Sequence, residues 1–289
     1  MTHPILYITL MLLLVVATTN TQQIQNVTRN VAEDRYPNWS PDGKRILFES
    51  NRSGNWDIYT INADGTDLRQ ITRESSSDRQ PAWNPTGTSI VFQSNRDGSP
   101  EIYTMKADGS EVVRLTRRAG EEIFPSWSPD GKYIAFTAGE VPNLDLFLMD
   151  IETLAVQPIA PGLLRDVWPR WSPDGRQIAF FSRRDTADED DEIYVLDLSG
   201  MKVERITNRQ GHDFCPGWSP DGKRLAVAAV DPVQGRSINV IDLNGRIIGK
   251  IGTGFERVTE PSWSPNGSNI VYAGQKSGNW DIYIEKAPQ

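Results

Sequence analysis

The chain has 289 residues, with 38% apolar and 24% charged side chains, 23 Gly, 19 Pro and 9 Trp. That is too apolar and too tryptophan-rich for a disordered chain, and the wealth of turn formers suits an all-β protein of short strands. A net charge of −8 disfavours binding to a phosphate backbone, and a single cysteine, Cys215, excludes an internal disulfide.

In chain order, the first element is an apolar run from Ile5 to Val16, with no charged side chain before Arg29. It has the length of a secretory core and is short for a membrane span, and small residues follow at Ala17, Thr18 and Thr19. Residues 1–21 are therefore expected to be a signal peptide, with an uncleaved N-terminal anchor as the alternative. Loss of His3 with this segment would leave His212 as the one histidine.

Six repeats follow. A Trp-Ser-Pro-Asp-Gly string or a close variant places Trp at 39, 83, 127, 171, 218 and 263, at spacings of 44, 44, 44, 47 and 45. Pro37, Pro81, Pro125, Pro169, Pro216 and Pro261 each stand two residues earlier. A period of this size marks a repeat architecture, and the content of one repeat decides which. In the first, 37–40 reads as a short strand and Pro41-Asp42-Gly43 as a turn. Residues 45–50 alternate polar and apolar, 56–62 form a third strand, Asp64-Gly65 a hairpin turn, and 68–72 a fourth strand. Four antiparallel strands in about 44 residues make one propeller blade, so the expected fold is an all-β, six-bladed propeller over residues 22–289. The sixth repeat stops after three strands. Residues 25–30 (QNVTRN) match the fourth strands LRQITRE, VVRLTRR and VERITNR, so the N-terminal segment is expected to complete the last blade and remove an open edge.

The pattern Pro-x-Trp-Ser-Pro-Asp-Gly-Lys-x-Ile-x-Phe, followed by Ser-x-Arg-x-Gly-x-x-Asp-Ile-Tyr, resembles the TolB-type propeller repeat from about residue 34 to the end. That resemblance implies a periplasmic platform binding lipoproteins or invading toxins; the same repeat also builds the substrate-filtering propeller of prolyl-oligopeptidase-like peptidases. Only about a dozen residues separate the export segment from the first blade, so the α/β domain that precedes the TolB propeller is not expected, nor is a hydrolase domain.

The six tryptophans and the equivalent positions Phe48, Phe92, Phe136, Phe180, Val227 and Tyr272 read as core, each aromatic contributing about 2–3 kcal/mol on burial. The third-strand acids Asp57, Glu101, Asp145, Glu192 and Asp281 are expected to pair with Arg52, Arg96, Arg184 and Lys276 across a hairpin. Three residues before each repeat Pro stand Asp34, Asp78, Glu122, Asp166 and Asp213, with Val258 in the sixth repeat. Ring symmetry would gather these five acids at one mouth of the channel, where charges about 10 Å apart repel by about 0.4 kcal/mol a pair in water. A calcium ion or a basic segment would relieve the repulsion; the alternative is neutralisation by Arg35, Arg79, Arg165 and Arg257. One residue before each Pro the sequence varies, and Tyr36, Phe124 and Trp168 would form an apolar arc suited to a protein or peptide.

No nucleophile elbow, zinc set or phosphate loop is present. Cys215 and His212 lie three apart in an extended segment and point to opposite sides, so Cys215 reads as a buried filler. The acidic segment 185–192 reads as a solvated loop, with a second calcium locus as its alternative. Two functions compete. One is an exported, non-enzymatic binding propeller presenting an acidic channel mouth to a protein, with an envelope lipoprotein as one candidate partner. The other is a divalent-cation-dependent enzyme acting on a sugar or lactone in the channel.

Overall fold

A computed structural model describes residues 24–160, 165–185 and 190–289; the expected signal peptide and the middle of the acidic segment lie outside the described residues. Six four-stranded antiparallel sheets follow one another around a ring. Within each, strand a is innermost and strand d outermost. In the first blade these are Asp34–Trp39, Arg45–Ser50, Asp57–Asn62 and Arg69–Gln70. The other inner strands are Asp78–Trp83, Glu121–Trp127, Asp166–Trp171, His212–Trp218 and Arg257–Trp263. Each inner strand packs on that of the next blade, and the first packs on the sixth, so the ring is closed.

The polar–apolar alternation of strand b does not divide a wet face from a dry one. Ile46 to Ser50 are all buried, Glu49 included, because a blade is covered on both faces by its neighbours. Phe48, Phe92, Phe136, Phe180, Val227 and Tyr272 are fully buried, as expected. Each aromatic of this set stacks on its strand-c partner, as in Phe48–Tyr59 at 5.9 Å and Phe92–Tyr103 at 5.8 Å. Blade five has Val227 opposite Asn239 instead.

Closure follows the sequence expectation. Gln25–Asn26 pairs antiparallel with strand c of the sixth blade, Gln25 opposite Ile284 and Asn26 opposite Tyr283. The chemistry of the join is that of the other blades. In blades one, two and four, the fourth-strand threonine hydroxyl donates to the acid that opens strand c and accepts the next amide. Thr72 donates to Asp57 at 3.1 Å and accepts from Ile58 N–H at 3.0 Å. Thr116 does the same with Glu101 and Ile102, and Thr207 with Glu192 and Ile193. In the sixth blade Thr28 takes this place, donating to Asp281 at 3.0 Å and accepting from Ile282 N–H at 3.1 Å.

The Trp-Ser-Pro-Asp-Gly turns interlock around the ring. Ser40 Oγ donates to Asp42 at 2.6 Å and accepts from Arg45 N–H at 2.9 Å, while Gly43 takes φ +69°. A side chain at Gly43 would stand 3.6 Å from the ring of Pro265 in the neighbouring blade, and the other five turn glycines face the corresponding prolines. The Asp-Gly turn therefore serves both the local reversal and the contact between blades.

Candidate functional site

The inner strands run in one direction through all six blades, so the channel has an entry end, where these strands begin near Asp34, and an exit end, near Trp39. The five acids stand at the entry end, yet their carboxylates turn into the blades. Asp34, Asp78 and Asp166 are inaccessible to solvent. Arg52 donates to both oxygens of Asp34 at 2.7 and 2.9 Å, Arg96 to both oxygens of Asp78 at 2.9 and 3.0 Å, and Arg184 pairs with Asp166. These arginines come from the b–c hairpin of the same blade, so they pair with the strand-a acids and not, as expected from sequence, with Asp57, Glu101 and Glu192. The third-strand acids are occupied by strand d: Arg114 bonds Glu101, and Arg205 bonds Glu192 at 2.9 Å.

Blades three and five have no arginine in that hairpin. There the cation comes from the loop before strand a, Arg118 lying 3.4 Å from Glu122 and Arg209 bonding Asp213. The sixth blade dispenses with charge: Val258 is buried, Phe255 packs edge-on against Tyr283 with centroids 4.7 Å apart, and Lys276 Nζ sits 4.9 Å above the Phe255 ring. Burial raises the carboxyls of Asp34, Asp166 and Asp213 above the ordinary range despite their arginines. Desolvation thus outweighs pairing, as is common for buried ion pairs. Of the two expectations for Asp34, Asp78, Glu122, Asp166 and Asp213, a calcium or partner site and neutralisation by arginine, the geometry favours the second, with Arg52, Arg96, Arg118, Arg184 and Arg209 in place of the expected Arg35, Arg79, Arg165 and Arg257. Asp34, Asp78, Asp166 and Asp213 each bond an arginine, whereas Glu122 has the Arg118 ion pair and two buried oxygens without a hydrogen bond. Among the described residues no three His, Cys, Asp or Glu side chains gather in a metal-binding arrangement.

The variable position before each proline proves structurally uniform. Tyr36, Gln80, Phe124, Trp168, Cys215 and Glu260 all adopt left-handed backbone, with φ between 51° and 66°. Each lies in a register shift between strands a and b. Left-handed non-glycine residues cost about 1–3 kcal/mol each and persist only where surroundings fix them. Four of the bulge amides are held by a side chain of the preceding blade. Tyr36 N–H donates to Glu260 at 2.6 Å, Gln80 N–H to Glu49 at 2.7 Å, Phe124 N–H to Gln80 at 2.7 Å and Trp168 N–H to Thr137 at 3.2 Å. Glu49 and Thr137 escaped the sequence reading because strand b looked like an ordinary alternating strand.

The bulge also turns these side chains to the axis. Tyr36 and Trp168 belong to opposite blades, yet their rings stack at 5.1 Å, and Phe124 joins them at 4.8 Å from Trp168 and 6.3 Å from Tyr36. The structure therefore brings together the three aromatics singled out in sequence, as a stack crossing the channel in which Trp168 is buried and Tyr36 and Phe124 are half-buried. Cys215 is buried beside them, and burial pushes its thiol up to about 12. His212 lies elsewhere, its Nδ1 accepting Asp191 N–H at 3.1 Å. A thiolate nucleophile has no support here.

At the exit end the channel opens into a funnel of about 320 Å³ whose wall includes all six repeat tryptophans. Their expected role as wedge-filling core holds in part: Trp218 and Trp263 are buried, while Trp39, Trp83, Trp127 and Trp171 are half-buried and face the funnel. Around its throat stand the residues that follow each proline, Asn38, Ala82, Ser126, Arg170, Gly217 and Ser262. All are small or neutral except Arg170.

A closed ring of six four-stranded antiparallel blades around a channel is the architecture of a six-bladed β-propeller. The family described as TolB beta propeller domain matches residues 11–186 and 146–289, and the chain belongs to it. The Tol-Pal system protein TolB of Bordetella pertussis is 43% identical over 44 residues, a segment covering 15% of this chain and 10% of that protein. A crystal structure of TolB from Acinetobacter baumannii superposes with a TM-score of 0.70 at 23% identity, over 85% of this chain and 64% of that one. An oligogalacturonate lyase from Vibrio parahaemolyticus shares the fold alone, at 15% identity and a TM-score of 0.67 over 94% of this chain and 95% of that one.

Proposed function

We propose that this chain is an exported, non-enzymatic propeller that presents its channel to a protein partner in the periplasm or outside the cell. Membership of the TolB propeller family supports the binding role. The apolar run at residues 5–16 supports export, and an envelope lipoprotein is the partner class that the family resemblance suggests. The observation that carries the reading is the contrast between frame and filling. Turns, bulges and blade-to-blade bonds repeat around the ring, whereas the six channel-facing bulge residues all differ. A site that selects an asymmetric ligand needs such variation on a constant scaffold. In this reading Tyr36, Phe124 and Trp168 supply the apolar contact, and Asp34, Asp78, Glu122, Asp166 and Asp213 hold the loops that carry them. The cation-dependent enzyme needs a ligand cluster that the described residues do not form.

The test is site-specific photocrosslinking in cells. A benzophenone amino acid replaces Phe124 in the channel, Asn84 at the exit funnel, or Val113 on an outer strand as control. A discrete adduct with an envelope protein is expected from Phe124 or Asn84. Adducts of equal yield from Val113, or none from either channel position, would refute the proposal.

A further inference from the structure

Arg170 is the sole charged residue among the described residues lining the exit funnel. Its guanidinium lies 5.0 Å from the Trp168 ring centroid. The guanidinium's one described hydrogen bond is a long contact of 3.5 Å from Nη1 to the carbonyl of Pro169, next to it in the chain. The nearby carboxylate, Glu260, is taken: it accepts from Arg35 at 2.8 Å and from Tyr36 N–H at 2.6 Å. Two other arginines of the inner strands have settled partners, Arg79 with Glu49 at 2.7 Å and Arg35 with Glu260 at 2.8 Å. Burial draws Arg170 down to about 10, with Cys215, Tyr36 and Glu260 as the titratable groups around it, so it remains a cation at neutral pH.

The wall has the same bias towards donors. The indole N–H groups of Trp39, Trp83, Trp127 and Trp263 are buried with no acceptor, whereas Trp171 and Trp218 donate to the carbonyls of Ser126 and Arg170. No acid lines the funnel. A planar cation short of an acceptor, at the floor of an aromatic cup, fits a planar anion that can take two parallel N–H bonds. One positive charge matches one negative charge, which favours a carboxylate over a phosphate. A cup of about 320 Å³ is at the small end of ligand pockets and holds one flat apolar group besides the carboxylate.

We propose that the exit funnel is a binding site for a singly charged carboxylate on an aromatic body, anchored by Arg170. The carboxylate belongs to a free organic acid or to an acidic side chain of an inserted peptide. The site is at the opposite end of the channel from the five acids and stands independently of any protein partner at Phe124.

Calorimetric titration of the full chain tests it with three probes: phenylacetate, its neutral counterpart phenylacetamide, and acetyl-Gly-Phe-Asp-amide. Phenylacetate is expected to bind saturably, more weakly as salt rises, and phenylacetamide about tenfold or more less tightly, since a charged hydrogen-bond partner is lost. Binding of the capped peptide assigns the site to acidic side chains, and its failure beside phenylacetate assigns it to free acids. Arg170→Gln should remove the preference for phenylacetate over phenylacetamide. Arg170→Lys, which keeps the charge and loses the fork, should keep part of it. Thermal melts of both variants establish folding. Equal binding of phenylacetate and phenylacetamide, an unchanged preference in folded Arg170→Gln or unchanged affinity in Arg170→Lys, or no binding by any probe would overturn the proposal.

Discussion

Arg52, in the b–c hairpin beside the start of the inner strand, holds both carboxylate oxygens of Asp34 at 2.7 and 2.9 Å, with the carboxylate wholly shielded from water. The pair joins the start of the inner strand to the b–c hairpin, while in the sixth blade Val258 is buried and Phe255, just before the inner strand, packs on Tyr283 beneath Lys276 at the hairpin.

Removing one partner should therefore cost more than removing both. Arg52→Met leaves a buried carboxylate and is expected to destabilise by about 3–5 kcal/mol. Asp34→Val with Arg52→Met, which imitates the sixth blade, should recover most of that loss. Urea unfolding of the two single variants and the double variant measures the coupling.

The Glu122 carboxyl is pushed up to about 7 by burial and by the neighbouring Glu101, against an ordinary value of 4.5. The folded chain thus binds a proton that the unfolded chain releases. The associated stability is fully present below about pH 4.5 and is lost as pH rises through about 7. Glu122→Gln should flatten this part of the profile. Unfolding midpoints at pH 5 and pH 8 should differ less for the variant than for the wild type.

Thr28 and Thr72 make the same two hydrogen bonds in different blades. Thr28→Val and Thr72→Val should each cost about 1–3 kcal/mol by leaving a buried amide and a carboxylate short of a partner. Similar values in chemical denaturation would show that the joining strand is energetically an ordinary fourth strand. A negligible loss at Thr28 would show that the closure is loose.

Cys215 is buried, and its thiol is raised to about 12. Labelling by a disulfide reagent at pH 8 should be slow in the folded chain and immediate in denaturant. Rapid labelling under native conditions would show that the bulge of blade five opens locally.

The blade count, the strand order and the closing strand were legible in the amino-acid sequence, because each depends on local chemistry repeated six times. The Pro-Asp-Gly turn demands its residues, and the Thr of residues 25–30 matches the Thr of every complete outer strand that carries the motif. Which side chain faces which space was decided by tertiary structure. A register shift of the inner strand turns Tyr36, Phe124 and Trp168 onto the axis and leaves Asp34, Asp78 and Asp166 inside the blades. The arginine that answers each acid depends on which hairpin reaches it in space. Arg170 reads as an unremarkable residue of a repeat until the ring gathers six tryptophans around it, since no short stretch of chain contains the cup that they form.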